Sequence, residues 1–239
     1  MNTQDFELKE YANERQWAVS SAFPVLMRKV YVWMTMAMVI TGITAYGVAT
    51  SPAILQMIYG NPVVMWVLVI AELALVFGVS AAINRISLTT ATLLFILYSV
   101  INGAMLSSIF LVYTSSSIAT VFFITAGTFG AMALVGYTTK TDLSSMGKIL
   151  FMALIGLIIA TIVNLFIKSS GLDLILSYVG VLIFVGLTAW DSQKIKQMML
   201  QAADASESMQ KYALLGALTL YLDFINLFIY LLRIFGRRD

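Results

Sequence analysis

Seven long apolar stretches alternate with short polar connections along the 239-residue chain. A helix needs about 20 predominantly apolar residues to cross the hydrocarbon core of a bilayer, with 17 to 25 as the usual range. Such a helix pairs its own backbone hydrogen-bonding groups, which lipid cannot do. The pattern therefore predicts seven transmembrane helices, spans 1 to 7, over residues 30–50, 62–82, 89–111, 118–137, 149–167, 174–190 and 212–235.

The connections between these spans are short, so residues 30–239 are predicted to form one transmembrane domain in an all-α integral membrane protein. Residues 1–29 form a polar N-terminal tail without a strong apolar period, which favours irregular chain or a short surface helix. Small residues recur in GTFGAMALVG, residues 127–136. Small side chains let helix backbones approach closely, so this segment is predicted to pack against another helix, either within the bundle or between protomers.

Lysine and arginine are unevenly divided between the two ends of the predicted bundle. The connections at 51–61 and 112–117 contain neither, and 168–173 contains only Lys168. The other basic residues ahead of span 7 precede span 1 or lie in the connections after spans 2, 4 and 6. Positively charged loops stay in the cytoplasm, so the N-terminus is predicted to be cytoplasmic.

The last span leaves two interpretations open. Seven crossings put the C-terminus outside, but three arginines, Arg233, Arg237 and Arg238, follow the apolar part of span 7. Their charge favours a re-entrant segment that returns to the cytoplasm. Residues 212–235 are long enough to span at about 1.5 Å per residue, which favours crossing.

Composition narrows the classes of function. Hydrophobic residues make up 60% of the chain, charged residues 11%, and the net charge of +2 does not indicate nucleic acid binding. The chain has no cysteine and no histidine, which excludes thiol nucleophiles, Ser–His pairs and most zinc sites. Residues 212–235 contain no lysine that could form the Schiff base of a retinal protein. Asp191 and Asp223, the aspartates at the end of span 6 and inside span 7, lack the glycine-rich surroundings of an intramembrane aspartyl protease. The chain is predicted not to be an enzyme and to hold no tightly bound cofactor.

An aspartate stands in the middle of span 7, in LTLYLDFINLFIYLL, residues 218–232. Ionisable groups at such depth normally face the interior of a bundle, where they are paired or reach water. Within about 80° of Asp223 on the helix surface lie polar residues that continue the stripe, namely Thr219, Asn226 and Tyr230. The stripe predicts that span 7 is central, although interhelical hydrogen bonds that only hold the bundle would leave the same pattern.

Three further ionisable residues accompany Asp223. Asp191 closes span 6 in GLTAWDSQKIK, where it could equally be a solvated carboxylate beside Lys194. If it approaches Asp223, the two cannot both ionise cheaply, and they would share a proton with Arg85 as counter-charge. Glu72 in span 2 does not share a helix face with Arg85, so it needs another partner or a water-lined path, unless it is a protonated structural residue.

Three motifs carry a resemblance to a known family: AELALVFGVSAAINRIS in span 2, GLTAWDSQKIK in span 6 and LYLDFINLFIYLLRIFG in span 7. With its polar tail and seven apolar segments, the chain resembles the bacterial branch of the Bax inhibitor-1 (TMBIM) membrane proteins. The resemblance implies six helices around a central seventh, in the bacterial inner membrane, and a pH-sensitive calcium leak. It implies that Asp191 and Asp223 form a proton-sharing pair, that Arg85 latches the pair and that Glu72 lines the ion path.

The family's association with calcium is compatible with only a weak metal site at Asp191 and Asp223. Ca²⁺ takes six to eight oxygen ligands, more than these carboxylates supply. The expected partners are thus the bilayer, calcium ions and protons. Two alternatives stay open: a non-conducting stress-protection protein that binds membrane quality-control partners, and a proton-coupled carrier with Glu72 and Asp223 as its relay.

Overall fold

The computed structural model describes residues 3–202 and 204–237, with side chains from residue 21 onward. Seven segments are long and apolar enough to cross a membrane, which confirms the predicted number of spans. The described residues contain helices and no strand. In chain order the helices are α1 (Thr3–Ala49), α2 (Pro52–Tyr59), α3 (Pro62–Ala82), α4 (Leu88–Leu106), α5 (Ile109–Val112), α6 (Ser115–Thr138), α7 (Ser144–Ile167), α8 (Ser170–Leu200) and α9 (Glu207–Phe235).

The polar N-terminal tail is helical, so the prediction of irregular chain or a short surface helix is wrong. Helix α1 begins at Thr3 and continues without a break into the first span, with Pro24 inside it. Residues 3–20 are rich in Glu, Lys, Gln, Arg and Ala and contain neither glycine nor proline. These are strong helix formers, so propensity extends the helix where no apolar period marks it.

Helix α9 is the central element of the bundle. Within the most apolar 18-residue stretch of this helix, 67% of the residues are buried, against 6% in the corresponding stretches of α3 and of α7. It packs extensively on α8, α1, α6 and α4, whereas α3 packs on α4 and α7 packs on α8. The polar stripe of span 7 thus predicted the central helix correctly, and α3 and α7 complete the surrounding six as its outer flanks.

Helix α8 extends ten residues beyond the predicted end of span 6, from residue 190 to Leu200. Polar side chains in this extension hold the connection between α6 and α7. Gln193 donates through Nε2 to the carbonyl oxygen of Thr141 and accepts through Oε1 from the Leu143 amide, each over 2.8 Å. Lys196 donates to the carbonyl oxygen of Tyr137 over 2.6 Å. These contacts explain why the helix continues past its apolar part.

We expect Gln193→Ala to loosen the connection at residues 139–143. The change removes both hydrogen bonds at once, so amide exchange in this segment should accelerate, most of all at Leu143. Hydrogen–deuterium exchange of the detergent-solubilised protein measures it, with Gln201→Ala as control because Gln201 is exposed at the end of α8. Unchanged exchange at Leu143 would show that other contacts order the connection.

The first turns of α9 are tied to the connection between α3 and α4. Three side chains of α9 reach it: Glu207 Oε1 accepts from the Leu88 amide (2.8 Å), Lys211 donates to the Ile86 carbonyl (3.0 Å), and the Tyr212 hydroxyl donates to Asn84 Oδ1 (3.1 Å). Glu207 thereby accepts from one of the free amides at the start of α4.

The other end of α9 is tied to the start of α6. The Arg237 amide donates to Ser117 Oγ over 2.9 Å, and the Thr114 amide donates to the Arg237 carbonyl over 3.1 Å. Helix α9 is unbroken over 29 residues, about 43 Å at 1.5 Å per residue. It therefore runs from one end of the bundle to the other, and the re-entrant interpretation is wrong. Arg238 lies outside the described residues.

The small residues at 127–136 divide into two groups. A Cβ built on Gly136 would lie 1.9 Å from the carbonyl oxygen of Ala189, so α6 and α8 touch backbone to backbone there. At Gly127 and Gly130 a Cβ would meet nothing within 4 Å. A close helix contact within the bundle is thus confirmed at Gly136, whereas Gly127 and Gly130 take no part in it.

Candidate functional site

A cavity of about 580 Å³ lies between α3, α7, α8 and α9. Its wall is mostly apolar. Four ionisable side chains other than tyrosine line it, namely Glu72, Asp191, Lys194 and Asp223. Three of the four ionisable residues of the predicted site thus line one cavity.

Asp191 and Asp223 face each other across the contact between α8 and α9. They are 7% and 4% exposed. Both side chains line the same cavity. Two ionised carboxylates are acceptors only, so a hydrogen bond between them requires a proton on one of the two. No N–H or O–H group of the described residues donates to Oδ2 of Asp223, which is fully buried.

The rest of the polar stripe on α9 lines the same cavity: Thr219, Asn226 and Tyr230. Thr219 donates to the Leu215 carbonyl over 3.1 Å, and Asn226 donates to the Leu222 carbonyl over 2.8 Å. Both bonds stay within α9. The interpretation of the stripe as interhelical hydrogen bonds therefore does not describe these two residues, whose side chains instead give the cavity a polar wall.

Lys194 is the cation nearest Asp191 in sequence, and it lines the cavity that both aspartates line. It lies on α8 three residues after Asp191, and its charge acts on that carboxyl group. Its ammonium stands 5.0 Å from the centre of the Trp190 ring. Among the described residues, the ion pair within 4.0 Å is between Arg233 and Asp173, at 3.4 Å. Asp191 is thus neither solvated nor directly ion-paired with Lys194, as the alternative interpretation required.

Arg85 is not brought to the aspartates. It is exposed in the connection between α3 and α4, where its backbone amide donates to the Ala82 carbonyl. That connection is held by Tyr212, which precedes Asp223 by eleven residues, or about 16 Å along α9. The latch implied by the family resemblance is absent from this conformation, and Lys194 supplies the nearby positive charge instead.

Glu72 belongs to a hydrogen-bond network that joins four helices. Its Oε1 accepts from Asn102 Nδ2 over 3.0 Å, and Asn102 Oδ1 accepts from the Tyr221 hydroxyl over 3.0 Å. The Tyr221 hydroxyl also lies 2.6 Å from Thr41 Oγ1, which donates to the Ser99 carbonyl over 3.0 Å. Glu72 thus has the partner that the sequence required, within the wall of the cavity.

This network was not predicted from the sequence, although its members left a signal there. Tyr221 precedes Asp223 by two residues, which places it about 160° away on α9 and outside the polar stripe. Asn102 and Thr41 are isolated polar residues in apolar spans. Polar residues inside a span normally find a partner on another helix, so Asn102 and Thr41 were candidates for interhelical hydrogen bonds.

The arrangement can hold a proton, and it can offer carboxylate oxygens to a cation. No group of three or more Asp, Glu, His or Cys side chains among the described residues is placed to hold a metal ion. Water or backbone oxygens would have to complete the shell of any ion that the aspartates contact.

Comparison with known proteins identifies the family. Residues 24–239 match the family model described as inhibitor of apoptosis-promoting Bax1. The chain belongs to the Bax inhibitor-1 family. The resemblance drawn from the three motifs is thereby confirmed, and all four ionisable residues of the predicted site lie within the matched region.

Relatives extend across bacterial groups. The chain is 52% identical to the inner membrane protein YbhL of Escherichia coli (strain K12), over 89% of this chain and 91% of that one. It is 44% identical to protein RP147 of Rickettsia prowazekii (strain Madrid E), over 89% of each. It is 41% identical to membrane protein M6_Spy0327 of Streptococcus pyogenes serotype M6, over 78% of this chain and 80% of that one. This Bax inhibitor-1 family member is a multi-pass membrane protein.

Proposed function

We propose that this Bax inhibitor-1 family member is a pH-sensitive calcium leak channel of the bacterial inner membrane, with its N-terminus in the cytoplasm. One observation carries the proposal: the buried Asp191 on α8 and Asp223 on α9 line one cavity together with Glu72. Calcium is the cargo in this proposal, and the protein catalyses no covalent reaction.

The gate is the contact between the two aspartates. With one shared proton the pair ties α8 to α9 through a hydrogen bond between a carboxylic acid and a carboxylate. Losing that proton leaves two repelling charges, and gaining a second removes the charge that strengthens the bond. The pair titrates as a unit, so pH shifts the population between a closed and an open arrangement of the helices.

The ion path uses weak, incomplete ligation. Glu72, Asp191 and Asp223 offer carboxylate oxygens in one cavity, fewer than the six to eight oxygens that Ca²⁺ takes. Water and backbone carbonyls complete the shell. Binding of this kind suits permeation, because an ion has to leave as readily as it enters.

The test is calcium flux into proteoliposomes across pH 5 to 8. We expect the double change Asp191→Asn with Asp223→Asn to abolish the pH response, because amides carry no titrating proton. The control is Asp142→Asn. Hydrogen bonds from Ser144 hold the pKa of Asp142 below its usual value, so this exposed carboxylate stays ionised throughout the range. Its replacement should leave the pH response unchanged.

Two outcomes contradict the proposal in different ways. Flux with an unaltered pH response in the double variant would remove the aspartates from the gate. A folded wild-type protein that passes no calcium at any pH would remove the channel itself. It would favour the non-conducting protein that binds membrane quality-control partners.

A further inference from the structure

The cavity that contains the aspartates opens sideways, between α3 and α7. These two helices pack on different neighbours, α4 and α8. Large apolar side chains of both helices line the cavity. At least half of the surface of each is nevertheless exposed: 55% for Leu73, 69% for Phe77, 53% for Phe151 and 50% for Ile158. In a membrane, exposed apolar side chains at this level face lipid. The opening therefore connects the cavity with the acyl chains of the bilayer.

Both signs of charge line the cavity. Asp191, Asp223 and Lys194 all line it, two carboxyl groups beside one ammonium. Helix α8 is 31 residues long, about 46 Å, which exceeds a hydrocarbon core of about 30 Å by about 16 Å. Asp191 lies nine residues from the end of α8, about 13 Å, so it stands close to the level of the lipid headgroups.

Asp223 also leaves an acceptor unused. The residue is 4% exposed and lines the cavity, yet no described N–H or O–H group donates to its Oδ2. A buried polar atom without a hydrogen bond destabilises the structure that contains it. A proton shared with Asp191 reaches only one of the two Asp223 oxygens, so a donor entering the cavity would remove the penalty at the other. The atom thus indicates a ligand with N–H or O–H groups, and the carboxyl groups around it favour a positive charge.

We propose that the cavity binds a phospholipid with a primary-amine headgroup. The ammonium donates hydrogen bonds to the carboxyl groups of Asp191 and Asp223, and Lys194 faces the phosphate. One acyl chain occupies the apolar part of the cavity and leaves through the opening between α3 and α7. The charges match in sign and order, and a volume of about 580 Å³ is in the range of small-molecule sites. The inference goes beyond the calcium leak and does not rest on it.

A headgroup with a quaternary amine is the matched comparison. Phosphatidylcholine carries the same charges as phosphatidylethanolamine, but its trimethylated nitrogen has no N–H to donate. If acyl chains and net charge alone drove binding, the two lipids would bind equally. A preference for the primary amine isolates the hydrogen bonds to the aspartates.

The experiment is native mass spectrometry of the full-length protein in detergent, without calcium. The protein is titrated with the two lipids bearing identical acyl chains and, separately, with dodecylamine. We expect the ethanolamine lipid to bind about tenfold more tightly, the effect of one hydrogen bond to a charged group. Asp191→Asn with Asp223→Asn should abolish the preference, and Lys194→Gln should weaken both lipids. Leu182→Ala should change the affinity for neither lipid, because the Leu182 side chain is 71% exposed on α8 and does not line the cavity.

A further variant tests the opening and leaves the charges in place. Leu154 on α7 lines the cavity, and Leu154→Trp fills the route proposed for the acyl chain. It should weaken the ethanolamine lipid while Asp191 and Asp223 are intact, so the proposal stays testable if the aspartate variants fail to fold.

Three results would overturn the proposal. Equal affinity for the two lipids would indicate general contact with the bilayer, and so would a preference that survives the aspartate changes. Tight binding of dodecylamine without any preference for the ethanolamine lipid would indicate a free amine instead. Because calcium is absent, a negative result leaves the leak untouched, and a failed flux experiment leaves lipid binding untouched.

Discussion

Gly136→Ala should destabilise the bundle by about 3 kcal/mol, at the upper end of what overpacking usually costs. The added methyl group would lie 1.9 Å from the carbonyl oxygen of Ala189 and 2.7 Å from its carbonyl carbon. These are backbone atoms of α8, so no side chain can rotate out of the way. The two helices have to separate, which disturbs the nearby bond from Ser192 Oγ to the Ala133 carbonyl, 2.8 Å long.

The same helix supplies the controls. Gly127 and Gly130 also lie inside α6, but a Cβ there meets nothing within 4 Å. Gly127→Ala and Gly130→Ala should therefore stabilise the protein by about 0.5–1 kcal/mol, because alanine loses less backbone entropy in a helix. Unfolding in mixed micelles with increasing denaturing detergent measures all three. Equal effects at the three positions would mean that α6 and α8 are not in backbone contact.

Asn102→Ala and Tyr221→Phe should each cost about 1–3 kcal/mol, and their effects should not add. Removing Asn102 leaves Glu72 without its donor and Tyr221 without its acceptor. Removing the Tyr221 hydroxyl also takes the partner from Thr41 Oγ1. Leaving buried polar groups unpaired is what makes such changes costly. Once one bond of the network is broken, the second change costs less.

A double-mutant cycle on unfolding free energies measures the coupling, expected at about 1 kcal/mol. The control is Tyr98→Phe. The Tyr98 ring packs edge-on against Tyr221 at 5.8 Å, and the ring is kept in the variant. This change should stay within about 0.5 kcal/mol, as for most substitutions that break no network. Additive effects of Asn102→Ala and Tyr221→Phe would show that the two bonds act separately.

The number of spans and the central helix could be predicted from the sequence because both depend on which side chains lipid can accommodate. Bilayer thickness sets the length of an apolar segment, and the polar stripe on α9 had to face inward. The ends of helices follow other forces. Helix α8 reaches Leu200 through side chains such as Gln193 that bond to another connection, and α1 starts at Thr3 through propensity. The hydropathy of the sequence indicates neither the end of α8 nor the start of α1.

The candidate site was predictable in its members and only partly in its contacts. Glu72, Asp191 and Asp223 stood out because charge is rare in a span, and the structure places all three around one cavity. Arg85 was expected beside them, but the connection that carries it is held at the far end of α9. That position depends on tertiary contacts between distant segments. The sharing of a proton by the aspartates stays a prediction.

The ties at the two ends of α9 restrict how the proposed contact between Asp191 and Asp223 could open. Tyr212 is bonded to the connection after α3, and Arg237 is bonded to the start of α6. A rod fixed at both ends cannot slide along its own axis without breaking one of them. It can still turn or bow, and bowing displaces the middle most. Asp223 lies 16 residues from the first residue of α9 and 12 from the last, near the point of greatest deflection.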